Sequence, residues 1–274
     1  MESASTVRRH GAGIRVYNGL NSVYVHTNDT SLTGLISAAR KAADAVEGTG
    51  AVGDVIRQCG TADQPIVIVN GSAVLGPGGE TWHERFMDPA DVEAVYGVLR
   101  RYDVQINSYV PGALYCLNTP ALAHPSSMIK GYLSGGRLVL DDRAAFEAEA
   151  LDRVYKLEGL TEDTELLTEV RAALREQTDA RVTYTSWRNV ELMSHGMGKA
   201  AALEWLADRL GLDLADCMAF GDNANDLDML RAVGWPVAVG NATDEVKQIA
   251  KRVADTDARD GVAKVIFDLL EAKP

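Results

Sequence analysis

The segment that most restricts the fold is Phe220-Gly221-Asp222-Asn223-Ala224-Asn225-Asp226, preceded by the apolar run Cys217-Met218-Ala219-Phe220 and followed by Leu227-Asp228-Met229-Leu230. An apolar run, a glycine and a polar turn that leads into an amphipathic pattern describe a buried strand handing over to a helix. In an open parallel sheet such a turn lies at the carboxyl edge of the strands, where ligands bind. Two carboxylates and a carboxamide there suit a hard cation such as Mg²⁺. The same residues also cap a helix and complement its dipole, so the neighbouring sequence decides between a site and a cap.

Upstream, Gly196-Met197-Gly198-Lys199 opens a helical pattern with Ala202, Leu203, Leu206, Ala207 and Leu210 on one face, ending at Gly211. Lys199 is therefore expected at a helix start, where an anion binds. Downstream, Val233-Gly234 closes the motif helix, and Pro236-Val237-Ala238-Val239 reads as a short buried strand. Gly240-Asn241-Ala242-Thr243 then leads into a helix near Asp244-Glu245-Val246. The alternation of helix and strand is that of a doubly wound α/β sheet.

The Gly198-Lys199 pair, the GDNANDLDML run from Gly221 to Leu230, the VAVGNATDEVK run from Val237 to Lys247 and the DGVAK run from Asp260 to Lys264 occur in order. Together they resemble the C-terminal half of haloacid dehalogenase superfamily phosphatases, in the Cof-like sugar phosphatase branch. Ile66 to Val74, with Asn70-Gly71-Ser72-Ala73 at its turn, resembles the strand and NGA turn after which that branch inserts a cap. The resemblance implies an α/β fold with a Rossmann-like, doubly wound parallel-sheet core, from residues 12–75 and 190–274, and an inserted α/β cap at 76–189.

It also implies a two-step phosphoryl transfer. A first-strand Asp attacks phosphorus, a second Asp two residues on is the general acid and base, a Thr or Ser and a Lys hold the phosphoryl oxygens, and Asp residues of the GD-x-x-ND turn hold Mg²⁺. By position, Lys199 would be the phosphate lysine, Asp222 the metal ligand, Asn225 a phosphate or metal contact and Asp226 a supporting carboxylate of the metal site. Asn70 would sit on the phosphate side. The implied cofactor is Mg²⁺ and the implied substrate a small phosphorylated metabolite of sugar-phosphate type, cleaved as a phosphomonoester.

The first motif of that family, D-x-D-G-T after an apolar run, is absent from the chain. One register takes Ser22-Val23-Tyr24-Val25-His26 as the first strand and Thr27-Asn28-Asp29-Thr30 as its turn. It keeps Asp29 as the acid, also near the metal, but puts Thr27 at the nucleophile position. The other takes Ile14-Arg15-Val16 as the strand and keeps neither carboxylate. A Thr needs a base for activation and its phosphoester is stable, so turnover by the usual route would be severely impaired. Glu47-Gly48-Thr49-Gly50-Ala51 resembles the second motif, with Thr49 as the phosphate contact. Three explanations stand side by side: lost chemistry on a kept fold, recruitment to another reaction, or an N-terminus altered by a frameshift or start-site error. The second reading of function is accordingly a catalytically silent relative that binds a phosphorylated ligand or a protein partner.

With 274 residues, 46% of them hydrophobic, the chain can bury two cores. Its formal charge of −12, without a basic stretch interleaved with aromatics, argues against nucleic acid as a partner. Cys59, Cys116 and Cys217 are unevenly spread and form no C-x-x-C, so neither a disulfide framework nor a zinc site is indicated. No run reaches membrane-spanning length, and a reducing cytoplasm is the simplest expectation. Within the expected cap, Pro89 to Leu99 and Glu165 to Glu176 read as helices, and Arg137 to Leu140 and Val154 to Leu157 as strands. Tyr109 and Tyr115 with His124 are candidates for a pocket but read better as packing, as do Trp187 and Trp205. His195 reads as an exposed turn residue.

Overall fold

A computed structural model describes the backbone of residues 12–18 and 21–27, and residues 65–118 and 137–271. The expectations for Asp29, Thr49 and His124 lie outside the described residues.

Strands β1 (Ala12–Asn18) and β2 (Asn21–Thr27) form a two-stranded antiparallel sheet, in register from Ala12 opposite Thr27 to Asn18 opposite Asn21. This corrects both registers considered for the first strand of a parallel sheet. The two segments are strands, but each is the other's antiparallel partner. That pattern is available because both segments alternate and only Gly19-Leu20 separates them.

A three-stranded antiparallel sheet follows, from β3 (Ile66–Ile68), β4 (Ala73–Leu75) and β5 (Thr81–Glu84). Helix α1 (Pro89–Leu99) starts as the sequence predicts, with Pro at the first position and the Asp88 carboxylate accepting from the Ala90 amide. Next come β6 (Gln105–Val110), β7 (Ala113–Leu117), β8 (Arg137–Leu140), α2 (Arg143–Glu149), β9 (Lys156–Leu160), α3 (Thr164–Gln177), β10 (Arg181–Thr183) and β11 (Asn189–Met193). The six strands make one sheet in the order β10-β11-β9-β6-β7-β8, antiparallel except for the β7–β8 pair. β11 runs through the boundary expected at 189/190.

Alternation along these strands gives the sheet two unlike faces. Ile106, Leu157, Val190 and Leu192 pack with Val92, Val95 and Leu99 of α1 and Leu167, Val170 and Leu174 of α3 in one apolar core. The intervening Asn107, Tyr109, Glu158, Asn189 and Glu191 are buried too, and they carry the polar groups. β9 starts two residues later than the sequence suggests, because the short helical turn at Leu151–Arg153 delays it. Tyr109 and Tyr115 are buried as expected, and His195 is exposed. Trp205 stacks on His83 with centroids 4.5 Å apart, whereas Trp187 departs from the packing expectation: it is 61% exposed and lies beneath the Arg188 guanidinium.

The C-terminal part runs α4 (Lys199–Leu210), β12 (Met218–Gly221), α5 (Leu227–Ala232), β13 (Trp235–Ala238), α6 (Asp244–Ile249), β14 (Arg252–Val253) and α7 (Gly261–Glu271). β12, β13 and β14 are parallel neighbours in that order, with Gly221 opposite Ala238 and Ala238 opposite Val253. Ala219, Leu227, Leu230, Ala238 and Val246 form the core between strands and helices, the Rossmann-like arrangement expected. Among the described residues, no helix is long and apolar enough to cross a membrane.

Candidate functional site

The turn after β12 folds back on its own acid. Asn223 caps the short helical turn Ala224–Asp226, and the Asp226 carboxylate accepts from the amides of Asp222, at 3.0 Å, and Asn223, at 3.4 Å, through Oδ2. Residue 221 must be glycine for this to happen, because a Cβ there would lie 2.7 Å from the Cβ of Asp226. The turn after β13 closes the other side, its Thr243 amide donating to the Asp222 carbonyl at 2.9 Å. Asp222 therefore sits at the carboxyl end of the first of three parallel strands, as the sequence implied.

Lys199, the first residue of α4, reaches the same turn. Its ammonium is 2.5 Å from Asp226 Oδ1, with side chains 17% and 4% exposed. Burial pushes the Asp226 carboxyl up, but the Lys199 charge and hydrogen bond and the Asp222 amide outweigh it and hold the group below the usual carboxylate range. Asp226 is thus an ionised, fully used acceptor that fixes the lysine and the turn.

Asn70 arrives from the turn between β3 and β4, where Val69, Asn70 and Gly71 have φ of 48°, 53° and 98°. Positive φ at a β-branched valine is strained and needs support from its surroundings. Gly71 supplies it by packing directly on Gly198-Lys199: a Cβ on residue 71 would lie 2.2 Å from the Gly198 carbonyl oxygen. Asn70 then meets Asn225, whose Nδ2 donates to Asn70 Oδ1 at 3.4 Å, while Asn70 Nδ2 donates to Glu191 Oε2 at 2.6 Å. Arg181 of β10 donates to the Met197 carbonyl at 2.8 Å and to Asp228 at 2.5 Å, tying the six-stranded sheet to the start of α4.

Four of the expected site residues, Asn70, Lys199, Asn225 and Asp226, are joined by contacts in this way, and the Asp222 backbone is held within the same turn. Thr27 ends β2 opposite Ala12, in a hairpin sheet separate from β12–β14. Glu191, Arg181 and Asp228 were not singled out from sequence. For Glu191 the signal was present in Asn189-Val190-Glu191-Leu192, where polar and apolar residues alternate in a strand that buries both faces.

The hard oxygen atoms at this turn are those of the Asp222 carboxylate, which is also hydrogen-bonded to the Asp226 side chain, the Asn225 amide oxygen and backbone carbonyls. Among the described residues no three His, Cys, Asp or Glu side chains cluster as a metal cage. A donor set this sparse fits Mg²⁺, which keeps several waters and takes one or two carboxylates together with substrate phosphate, and it does not fit Zn²⁺.

A family profile for haloacid dehalogenase-like hydrolases matches residues 49–266, and a separate one, for PmbA/TldA metallopeptidase domain 1, matches residues 1–46. The chain is 41% identical over 105 residues to a 5-amino-6-(5-phospho-D-ribitylamino)uracil phosphatase, YcsE, of Bacillus subtilis, covering 38% of this chain and 42% of that protein. It is 29% identical over 185 residues to an HMP-PP phosphatase of an Enterobacter species, covering 67% and 65%. The chain thus spans about two fifths of the first relative and just under two thirds of the second. Among solved structures, a haloacid dehalogenase-like hydrolase from B. subtilis superposes with a TM-score of 0.69 at 23% identity, over 87% of this chain and 93% of the other. By profile, relatives and fold, the chain belongs to the haloacid dehalogenase-like hydrolase family, in its Cof-like branch.

Proposed function

We propose that the protein binds a small phosphorylated metabolite together with Mg²⁺ at the carboxyl end of β12, as a phosphatase-type site for phosphomonoesters. The observation that carries the reading is Lys199 held against Asp226 inside the turn that bears Asp222 and Asn225. An ammonium on one side and a carboxylate-bound cation on the other can neutralise a phosphoryl group between them. Relatives named as phosphatases of phosphorylated metabolites support the same substrate class. In this reading the six-stranded sheet with its helices is the cap, and it supplies the contacts to the rest of the substrate.

A second reading, a ligand-binding relative without turnover, is favoured by a specific observation. The family match begins at residue 49, behind the position where the nucleophilic motif of the resemblance would fall, and the preceding residues match another family. The antiparallel pairing of β2 with β1 speaks against Thr27 as nucleophile and Asp29 as its acid. Phosphate release from a panel of sugar and nucleotide phosphates with Mg²⁺ separates the two. Turnover in the parent that vanishes in Asp222→Asn supports hydrolysis. Silence in the parent, with phosphate-ester binding that needs Mg²⁺ and Lys199, supports the second reading. Neither turnover nor binding sinks both.

A further inference from the structure

Resting on the cation site just proposed, a chain of hydrogen bonds runs into it from the six-stranded sheet. Lys156 Nζ lies 2.5 Å from Glu191 Oε1, and these side chains are 10% and 3% exposed. The second carboxylate oxygen, Oε2, takes Asn70 Nδ2 at 2.6 Å, and Asn70 Oδ1 in turn takes Asn225 Nδ2 at 3.4 Å. Each link has a fixed sense. The ion-paired carboxylate only accepts, so Asn70 must turn its NH₂ toward Glu191. Its carbonyl then faces Asn225, which must answer with its own NH₂. The carbonyl oxygen of Asn225 is left on the side away from Asn70, and Asn225 is 6% exposed, so its amide has little freedom to flip.

We propose that Glu191, backed by Lys156, is a positioning residue that sets the polarity of the Asn70 and Asn225 amides, so that residue 225 offers an oxygen to the cation. A buried ion pair in one unit would thereby determine whether the metal turn of the other presents an acceptor or a donor. The arrangement also assigns Asn225 to the cation in preference to the phosphate, since an amide NH₂ aimed at Mg²⁺ would repel it. Partners behind metal ligands commonly have effects of this kind, worth about 10–100-fold in metal affinity.

The test is a Mn²⁺ titration of the full chain followed by electron paramagnetic resonance, without substrate. Glu191→Gln presents either an oxygen or an NH₂ to Asn70, so the sense of the relay is lost, and affinity should fall by about tenfold. The double variant Asn70→Asp with Glu191→Gln restores the sense: the Gln NH₂ donates to one Asp oxygen, and the other Asp oxygen accepts from Asn225. Charge is conserved, and affinity should return to within a few-fold of the parent. Loss in the single variant without recovery in the double, or no loss in the single, overturns the proposal while leaving the cation site standing if Asp222→Asn abolishes binding. A parent that binds no Mn²⁺, or an Asp222→Asn that binds as well as the parent, overturns the cation site and this inference with it. Should Glu191→Gln not fold, Asn70→Gly suits the positive φ, keeps the Lys156–Glu191 pair and removes only the relay; unchanged affinity there is equally fatal.

Discussion

At the scale of the residue, the Lys199–Asp226 pair has two duties that mutation can separate. In the proposed site Lys199 would also be the cation that meets a phosphoryl oxygen, and a charge-assisted hydrogen bond of that kind contributes about 1.5–3 kcal/mol. Lys199→Met should therefore weaken binding of inorganic phosphate or vanadate by tenfold or more, measured by calorimetry. The same substitution leaves Asp226, whose side chain is 4% exposed, without its counter-charge. Breaking one half of a buried pair costs about 3–5 kcal/mol, so Lys199→Met should also lower the urea midpoint. Lys199→Met combined with Asp226→Asn removes the uncompensated charge and should regain part of that stability without regaining anion binding. A double variant no more stable than the single would mean that the pair does not hold the turn. The placement of Asp222 and Asn225 at the turn after β12, and of Lys199 at a helix start, was legible in the sequence, because a strand-glycine boundary followed by polar residues and a helical pattern has few other readings. The partner of Glu191 was not, even though its burial was, because Asn70 lies 121 positions away along the chain.

At the scale of the element, the site rests on two backbones in near contact: the Val69–Gly71 turn and the start of α4. Gly71 combines φ of +98° with a position where a Cβ would meet the Gly198 carbonyl at 2.2 Å. Gly71→Ala should cost about 2–4 kcal/mol, from backbone strain together with overpacking, read as a lower midpoint in urea. It should also displace Lys199, so anion affinity should drop along with stability. A variant as stable as the parent would refute the close packing of these backbones. The parallel strands and helices from Lys199 onward were legible, since apolar runs, glycine stops and Asp or Thr caps agree there with the final structure. The start of β9 was not, because Val154 and Tyr155, whose side chains suit a strand equally well, follow the helical turn at Leu151–Arg153 and precede the first paired residue, Lys156. The hairpin of β1 and β2 was misread for a related reason: a short apolar strand does not state whether its partner runs parallel or antiparallel.

At the scale of the whole molecule, three carboxyls among the described residues are held below their usual range. Asp226 is shifted by Lys199 and the turn amides against the effect of burial, Asp255 by hydrogen bonds from Lys264 and the Thr256 amide, and Glu149 by hydrogen bonds from Arg137 and Tyr115. With each folded-state pKa lowered, the unfolded chain binds more protons in the acid range, so stability rises with pH there. The contribution is complete above the unfolded carboxylate value of about 4 and is lost as pH falls through the lowered folded values. Urea unfolding between pH 7 and pH 3 should therefore show a nearly level midpoint down to about pH 5 and a steep decline below it. Asp255 and Glu149 lie at the surface, where water and salt screen their partners, and Asp226 is the member whose ionised form the interior depends on. Asp226→Asn removes one titrating site, so its stability curve should fall less steeply, by up to one proton's worth, or about 1.4 kcal/mol per pH unit. The two curves should converge at the acid end, where Asp226 would be protonated in either state. Parallel curves over the whole range would mean that Asp226 titrates alike in the folded and unfolded chains, and the ionised Lys199–Asp226 pair at the centre of the site would then have to be abandoned.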